Sequence, residues 1–404
     1  MPKLSHRASL LPASPIRKLA SIADAAKSRG IKVHHLNIGQ PDIETPPQFF
    51  EAIRNAGISV LAYSPSAGFE SLRRSIARYY SRLGYAIGAS DVIVTVGASE
   101  ALNFIFSALL NPGEEIIVPE PYYANYNSFS ISFDGVAVPI KTPLYDDFAF
   151  PENAPLGERV TTRPPANLFF HPGNPTGILY PRESLEKLRE ICLRHNLFLI
   201  ADEVYREFTY GTQPHHSILE LEGMDQHAIV VDSISKRFSA CGSRIGCVVS
   251  KNDELMQAVL KMAQARLSPP TFGQIGAEAV YDLPQSYYEG VVREYAARRD
   301  VLVSALREIE GVVCPDINGA FYAMVRLPID NSEEFCHWLL AEFQYNGETV
   351  MLAPGPGFYA TPSLGYDEVR IAYVLNQADL RSAMNCLAAG IKQYNSIKSN
   401  RVLA

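Results

Sequence analysis

A chain of 404 residues, 47% hydrophobic and 20% charged, carries enough apolar mass for one large domain or two. A formal net charge of −7 and the lack of a basic run argue against nucleic acid as a partner, and no apolar run is long enough to span a bilayer. Six cysteines without a close CxxC pair or a zinc spacing with histidine read as thiols of a reducing, cytoplasmic compartment.

The N-terminal segment has two readings. Lys3, Arg7, Arg17 and Lys18 precede the first acidic residue, Asp24, among frequent serines, as in a mitochondrial transit peptide. The preferred reading is a mature arm: Leu10 to Pro15 as an extended lead, then a helix from about Ile16 to Lys27. Ser14 would cap that helix with Pro15 in its first turn, and Gly30 would stop it. Val33 to Ile38 follows as a strand ending at Gly39-Gln40-Pro41-Asp42, where the glycine admits a ligand to the backbone or simply makes a turn. Pro46 and Pro47 open a helix, Tyr63 to Gly68 is a polar loop, and Phe69 to Leu83 is a second helix.

Val92 to Val96 is a β-branched strand broken by Gly97, and a helix starts at Ala98-Ser99. Free N–H groups and the positive end of the dipole make such a start a ready anion site, although many α/β helices begin this way. Strands recur at Glu115 to Val118, Val136 to Ile140, Ala166 to Phe170 and Leu197 to Ala201, with helices over Tyr122 to Ser132 and Ser184 to His195. Alternation of this kind predicts a mostly parallel sheet.

Two further strands, Ala228 to Val231 and Ile245 to Val249, bracket a polar loop that carries Lys236 among Ser233, Ser235, Ser239, Ser243, Arg237 and Arg244. Like charge and desolvation would disfavour the ammonium there and make the amine a nucleophile toward a carbonyl carbon. The competing reading is an ordinary solvated lysine. In parallel sheets ligands bind outside the carboxyl ends of the strands. Gly97-Ala98-Ser99, Asn174, Asp202, Tyr205 and Ser233 to Lys236 all fall at such ends.

Past Ser268-Pro269-Pro270 a long helix runs from Gln285 to Glu310. A strand at Gly319 to Val325, a helix at Glu333 to Phe343 and a strand at Glu368 to Tyr373 come after it. Pro354-Gly355-Pro356-Gly357 reads as turns, not as a phosphate loop, because no Lys-Ser/Thr follows. The expected division is an arm with part of a small domain (1–45), a large domain (46–285) and a small C-terminal domain (286–404).

Asn37-Ile38-Gly39-Gln40-Pro41-Asp42, Tyr63, Gly97-Ala98-Ser99-Glu100-Ala101, Tyr122-Tyr123, Asn174-Pro175-Thr176-Gly177, Asp202-Glu203-Val204-Tyr205, Ser233 to Lys236 with Arg244-Ile245-Gly246, and Val369-Arg370-Ile371 follow one another along nearly the whole chain. In this order they resemble the pyridoxal-phosphate-dependent aminotransferases of fold type I, in the class I/II group of aspartate and aromatic aminotransferases. The resemblance implies an α/β fold, with a mostly parallel seven-stranded sheet in the large domain and a smaller α+β domain. It implies ping-pong transamination between an L-amino acid and a 2-oxo acid; a lyase of the same fold is the alternative.

By the same resemblance Lys236 holds pyridoxal 5′-phosphate as a Schiff base and moves the substrate proton. Asp202 pairs with the ring nitrogen, Tyr205 and Asn174 bond the ring oxygen, and Tyr123 stacks on the ring face. Ala98, Ser99, Ser233, Ser235 and Arg244 hold the phosphate, and Tyr63 reaches the phosphate of a second subunit in a homodimer. Arg370 clamps the substrate α-carboxylate, helped by Asn174 and the Gly39 backbone. A cis bond is expected before Pro175, where Asn174 turns toward the cofactor. By the same resemblance Arg266, reaching across from a partner subunit, is a candidate for a second substrate carboxylate, against the alternative that it ends a helix and complements its dipole.

Overall fold

The computed structural model describes residues 2–149 and 166–402. Among them seven strands form one sheet: β1 (Val92–Thr95), β2 (Glu115–Glu120), β3 (Val136–Lys141), β4 (Ala166–Phe170), β5 (Phe198–Asp202), β6 (Ala228–Ser233) and β7 (Gly246–Val249). Their order is β1-β7-β6-β5-β4-β2-β3, parallel except at β7, which runs antiparallel to both neighbours. Strands β1, β4, β6 and β7 are buried at every position, which is why they read as nearly continuous apolar runs: both faces of the sheet are covered. Successive side chains still divide by the two-residue period. Ile229 and Val231 join one core, while Ala228 and Val230 join the other.

A second region forms around the C-terminal chain. Lys32–His35 pairs in parallel with Glu348–Met351, and Tyr322–Arg326, Ala353–Pro354 and Glu368–Ala372 make a three-stranded antiparallel sheet. The long helices Gln285–Arg307 and Gln377–Val402 pack on each other.

Some expected boundaries move. After a short helix at His6–Leu10, the helix expected from Ile16 begins at Ala20, and Ser14 gives no side-chain cap; its carbonyl accepts from the Arg17 and Lys18 N–H groups in a turn. The helix expected from Tyr122 begins at Asn125, because the Tyr122 N–H is drawn to the Phe358 carbonyl at 2.9 Å. Lys236 lies on a one-turn helix, Ile234–Arg237, whose Ser235 N–H donates to Ser233 Oγ at 3.3 Å, and not on an irregular loop.

One ion-pair network closes the small region. The Glu348 carboxylate accepts from the Ser382 hydroxyl, lies 2.9 Å from His34 Nε2 and 3.4 Å from Lys32 Nζ. The Ser382 and His34 contacts hold its pKa down to about 2. A carboxylate with a depressed folded-state pKa stabilises the fold above its unfolded value and loses that contribution as pH falls through the folded one. Glu348→Gln should therefore flatten the fall of the melting temperature between pH 5 and pH 2. An unchanged slope would remove Glu348 from the acid sensitivity.

Candidate active site

Lys236 projects from the end of β6, and its Nζ donates to the Gly39 carbonyl at 2.7 Å. The next residue, Arg237, turns the opposite way. It is buried, donates to both Asp232 carboxylate oxygens at 2.5 and 2.7 Å, and lies over the Tyr79 ring. Its charge is matched inside the core by Asp232, away from the Lys236 amine.

A cleft of about 600 Å³ opens beside Lys236 at the carboxyl rim of the sheet. Every candidate residue from the sequence lines it except Arg266 and Tyr63, the latter 79% exposed outside it.

One end of the cleft is positive. Helix α1 (Gly97–Leu109) starts there, and Val96 before it supplies no side-chain cap. Gly97 has φ +72°, and a Cβ on it would fall 2.3 Å from Arg244 Nη2, so bare backbone lets the guanidinium lie across the helix start. Gly246 is equally constrained, since its Cβ would meet Ala98 N at 2.7 Å. Ser99, Ser233 and Ser235 border the same corner. Unpaired N–H groups, an arginine and hydroxyls together suit a phosphate.

Asp202, at the end of β5, is only 2% exposed, and burial pushes its carboxyl well above the ordinary range. Its one side-chain hydrogen bond among the described residues is a long one, from the Val204 N–H at 3.4 Å. A carboxylate so placed is costly without a cation to meet it. Nearby, Tyr205 Oη lies 2.9 Å from Tyr322 Oη, and burial pushes the Tyr205 phenol well up. Tyr123 stands edge-on to Phe170, accepts a bond from Asn125 Nδ2 at 2.8 Å, and is pushed to about 12 by burial.

Arg370 closes the far side. It is 1% exposed, donates from Nη1 to Asn174 Oδ1 at 3.0 Å and from Nη2 to the Asn37 carbonyl at 2.5 Å. The Tyr322 and Phe358 rings sit 4.5 and 4.9 Å from the guanidinium carbon. No carboxylate of the described residues pairs with it, and its Nε has no hydrogen-bond partner there. A buried arginine satisfied only by neutral groups suits an anionic ligand. The Asn174–Pro175 bond is cis, as expected.

Arg266 does not line the cleft. It ends the helix Asp253–Arg266, and its Nη2 donates to the Ser66 and Val94 carbonyls at 3.0 and 3.4 Å, with Glu100 at 3.5 Å from Nη1. Within its own chain these contacts match the structural alternative. Among the further residues that line the cleft are Arg17, which the sequence offers only as one basic residue of the arm, and Tyr322, which it offers only as a strand residue. The only sequence signal for Tyr322 was a hydroxyl inside an apolar run, Ala320 to Val325.

Residues 31–387 match the family model described as aminotransferase class I and II. The aspartate aminotransferase of Geobacillus stearothermophilus is 32% identical, over 95% of this chain and 97% of that protein. That of Bacillus subtilis (strain 168) is 30% identical, over 97% and 100%. Among solved structures, the aspartate aminotransferase of Thermotoga maritima superposes with a TM-score of 0.88 at 28% identity, covering 96% of this chain and all of that one. The alanine aminotransferase of Pyrococcus furiosus gives a TM-score of 0.88 at 29% identity, covering 97% and 100%. These matches favour amino transfer over the lyase alternative. An anion cradle, an amine and a buried carboxylate along one cleft fit the phosphate, aldehyde and ring nitrogen of a pyridoxal group. This chain belongs to the class I and II aminotransferases, enzymes that use pyridoxal 5′-phosphate to move amino groups between amino acids and 2-oxo acids.

Proposed function

We propose that the amino donor is a dicarboxylic amino acid of the aspartate class, with Arg370 holding the α-carboxylate and Arg17 the distal one. The observation that carries this reading is Arg17 at the cleft mouth, with no ion-pair partner among the described residues. Arg370 and Arg17 both bear electrostatically on the Tyr123 hydroxyl. The arm is held in register beside them. Asn37 Nδ2 donates to the Ile16 carbonyl at 2.6 Å, and Pro15 packs where a Cβ on Gly357 would fall 2.5 Å away. The names of the aspartate aminotransferase relatives point the same way.

The cofactor, when bound, supplies an electron sink for the substrate α-carbon. The chain's own residues do the rest. Arg244, Ser99, Ser233, Ser235 and the N–H groups of Ala98 and Ser99 would hold the phosphate. Asp202 would keep the ring nitrogen protonated, and Tyr123 would cover the ring face. Asn174 Oδ1 accepts from Arg370 Nη1, which leaves its Nδ2 and the Tyr205 hydroxyl to donate to the ring oxygen. Lys236 Nζ would anchor the aldehyde and, once released, take the α-proton as a general base. Its contact with the Gly39 carbonyl keeps the amine at the mouth of the carboxylate clamp.

The same proposal includes a homodimer in which Tyr63 reaches the second subunit's phosphate. It is supported by an exposed apolar run, Ile58, Val60, Leu61 and Tyr63, with Leu267 and Phe272 also exposed. The division at 1–45, 46–285 and 286–404 is supported by the separate sheets on either side of it. A cytoplasmic location is supported by six cysteines standing as free thiols.

Steady-state kinetics with four donors test the substrate reading. Losing a charge-assisted contact costs roughly 1.5–3 kcal/mol. Arg17→Ala should lower kcat/KM for aspartate and glutamate at least about tenfold and spare alanine and phenylalanine. Equal loss with all four donors, or none, would sink it.

A further inference from the structure

We infer that Tyr322 is a positioning residue that joins the Arg370 carboxylate clamp to the Tyr205 hydroxyl. The inference rests on the reading that Tyr205 donates to the cofactor's ring oxygen. Tyr322 starts the strand Tyr322–Arg326, so its backbone is set by pairing with Glu368–Ala372, the strand that carries Arg370. Its ring lies 4.5 Å from the Arg370 guanidinium carbon, and its hydroxyl is 2.9 Å from Tyr205 Oη. Both phenols are buried, and the two rings meet edge-on at 5.4 Å. Room for the hydroxyl comes from Gly39, where a Cβ would fall 1.7 Å from Tyr322 Oη. One phenol thus touches the substrate clamp, the cofactor-side tyrosine and the backbone that receives Lys236 Nζ.

A phenol has a single proton. If Tyr205 gives its proton to the ring oxygen, the 2.9 Å contact is a hydrogen bond only with Tyr322 as donor. A bond accepted at Tyr205 Oη polarises that hydroxyl and makes it a stronger donor. Stronger donation draws negative charge off the ring oxygen and loosens the proton on the attached Lys236 nitrogen. Tyr322 would therefore lower the pH at which that nitrogen deprotonates, and its ring would support Arg370 by cation–π contact.

Titration of the holoenzyme's visible absorption against pH reads the first effect. Tyr322→Phe should raise the midpoint by about half a unit, the scale of a 10–30% change in one hydrogen bond. Tyr205→Phe should raise it further, and adding Tyr322→Phe to that variant should change nothing more. Binding of maleate, a non-reacting dicarboxylate, reads the second effect. Its affinity should hold within about twofold in Tyr322→Phe, which keeps the ring, and weaken about tenfold in Tyr322→Leu. If Tyr205→Phe leaves the midpoint in place, the Tyr205 reading falls and this inference with it. If Tyr205→Phe moves the midpoint but Tyr322→Phe leaves or lowers it, or the two shifts add, the Tyr322 link alone is overturned. Wild-type maleate affinity in Tyr322→Leu would also overturn it, by separating Tyr322 from the clamp.

Discussion

Lys236→Ala is expected to lower transamination by about 10⁴-fold or more, since it removes both the covalent anchor and the base that handles the α-proton. No other lysine among the described residues lines the cleft, so none stands ready to replace it. The fold should survive the change. Lys236 is only half-buried, the helix turn it sits on is capped by Ser233, and the buried Arg237–Asp232 pair beside it is untouched. The variant should therefore fold with a circular dichroism spectrum like the parent's, bind pyridoxal phosphate without a covalent bond, and turn over at a trace rate. Borohydride reduction of the parent holoenzyme followed by peptide mapping should mark Lys236. A mark on a different lysine, or appreciable turnover in the alanine variant, would overturn the assignment.

Asp202→Asn should lower the proton-abstraction step by roughly 10²–10³-fold, about 2.7–4 kcal/mol, the scale seen when one preorganised electrostatic partner is lost. The substitution is nearly isosteric, and the Val204 N–H can donate to the amide oxygen as it does to the carboxylate. Its effect on the apoprotein has the opposite sign. Burial raises the Asp202 pKa in the folded state, so the ionised form is disfavoured on folding and weighs against stability above the unfolded-state pKa. At pH 8 the apo variant should melt no lower than the apo parent, while cofactor binding and turnover fall. That pairing separates a functional carboxylate from a structural one, whose loss would lower the melting temperature in both forms. Parent-like turnover would remove Asp202 from the mechanism.

Much of the chemistry was legible in the chain because it is built from neighbours. A strand followed at once by a polar turn puts its last residues on the carboxyl rim of a parallel sheet, and so Gly97 to Ser99, Asn174, Asp202 and Ser233 to Lys236 were found as candidates from local pattern alone. Buried strands such as β4 and β6 announced themselves as apolar runs. Side-chain direction and long-range pairing are different in kind. Arg237 sits next to Lys236 in sequence but points into the core, because Asp232 on β6 offers it a buried partner there. Arg266 looked available for substrate until the Ser66 and Val94 carbonyls were brought under its guanidinium.

Arg17 and Tyr322, which line the cleft, carry no motif of their own. Arg17 reaches the cleft because the arm is pinned at Ile16 by Asn37 and at Pro15 by the bare surface of Gly357. Tyr322 meets a phenol 117 positions away, and Arg370 meets a carbonyl 333 positions away. Periodicity reports only which face of an element a residue occupies. What that face touches is decided when the antiparallel small sheet is packed against the rim of the large one, and there the contacts that join clamp, arm and cofactor site were made.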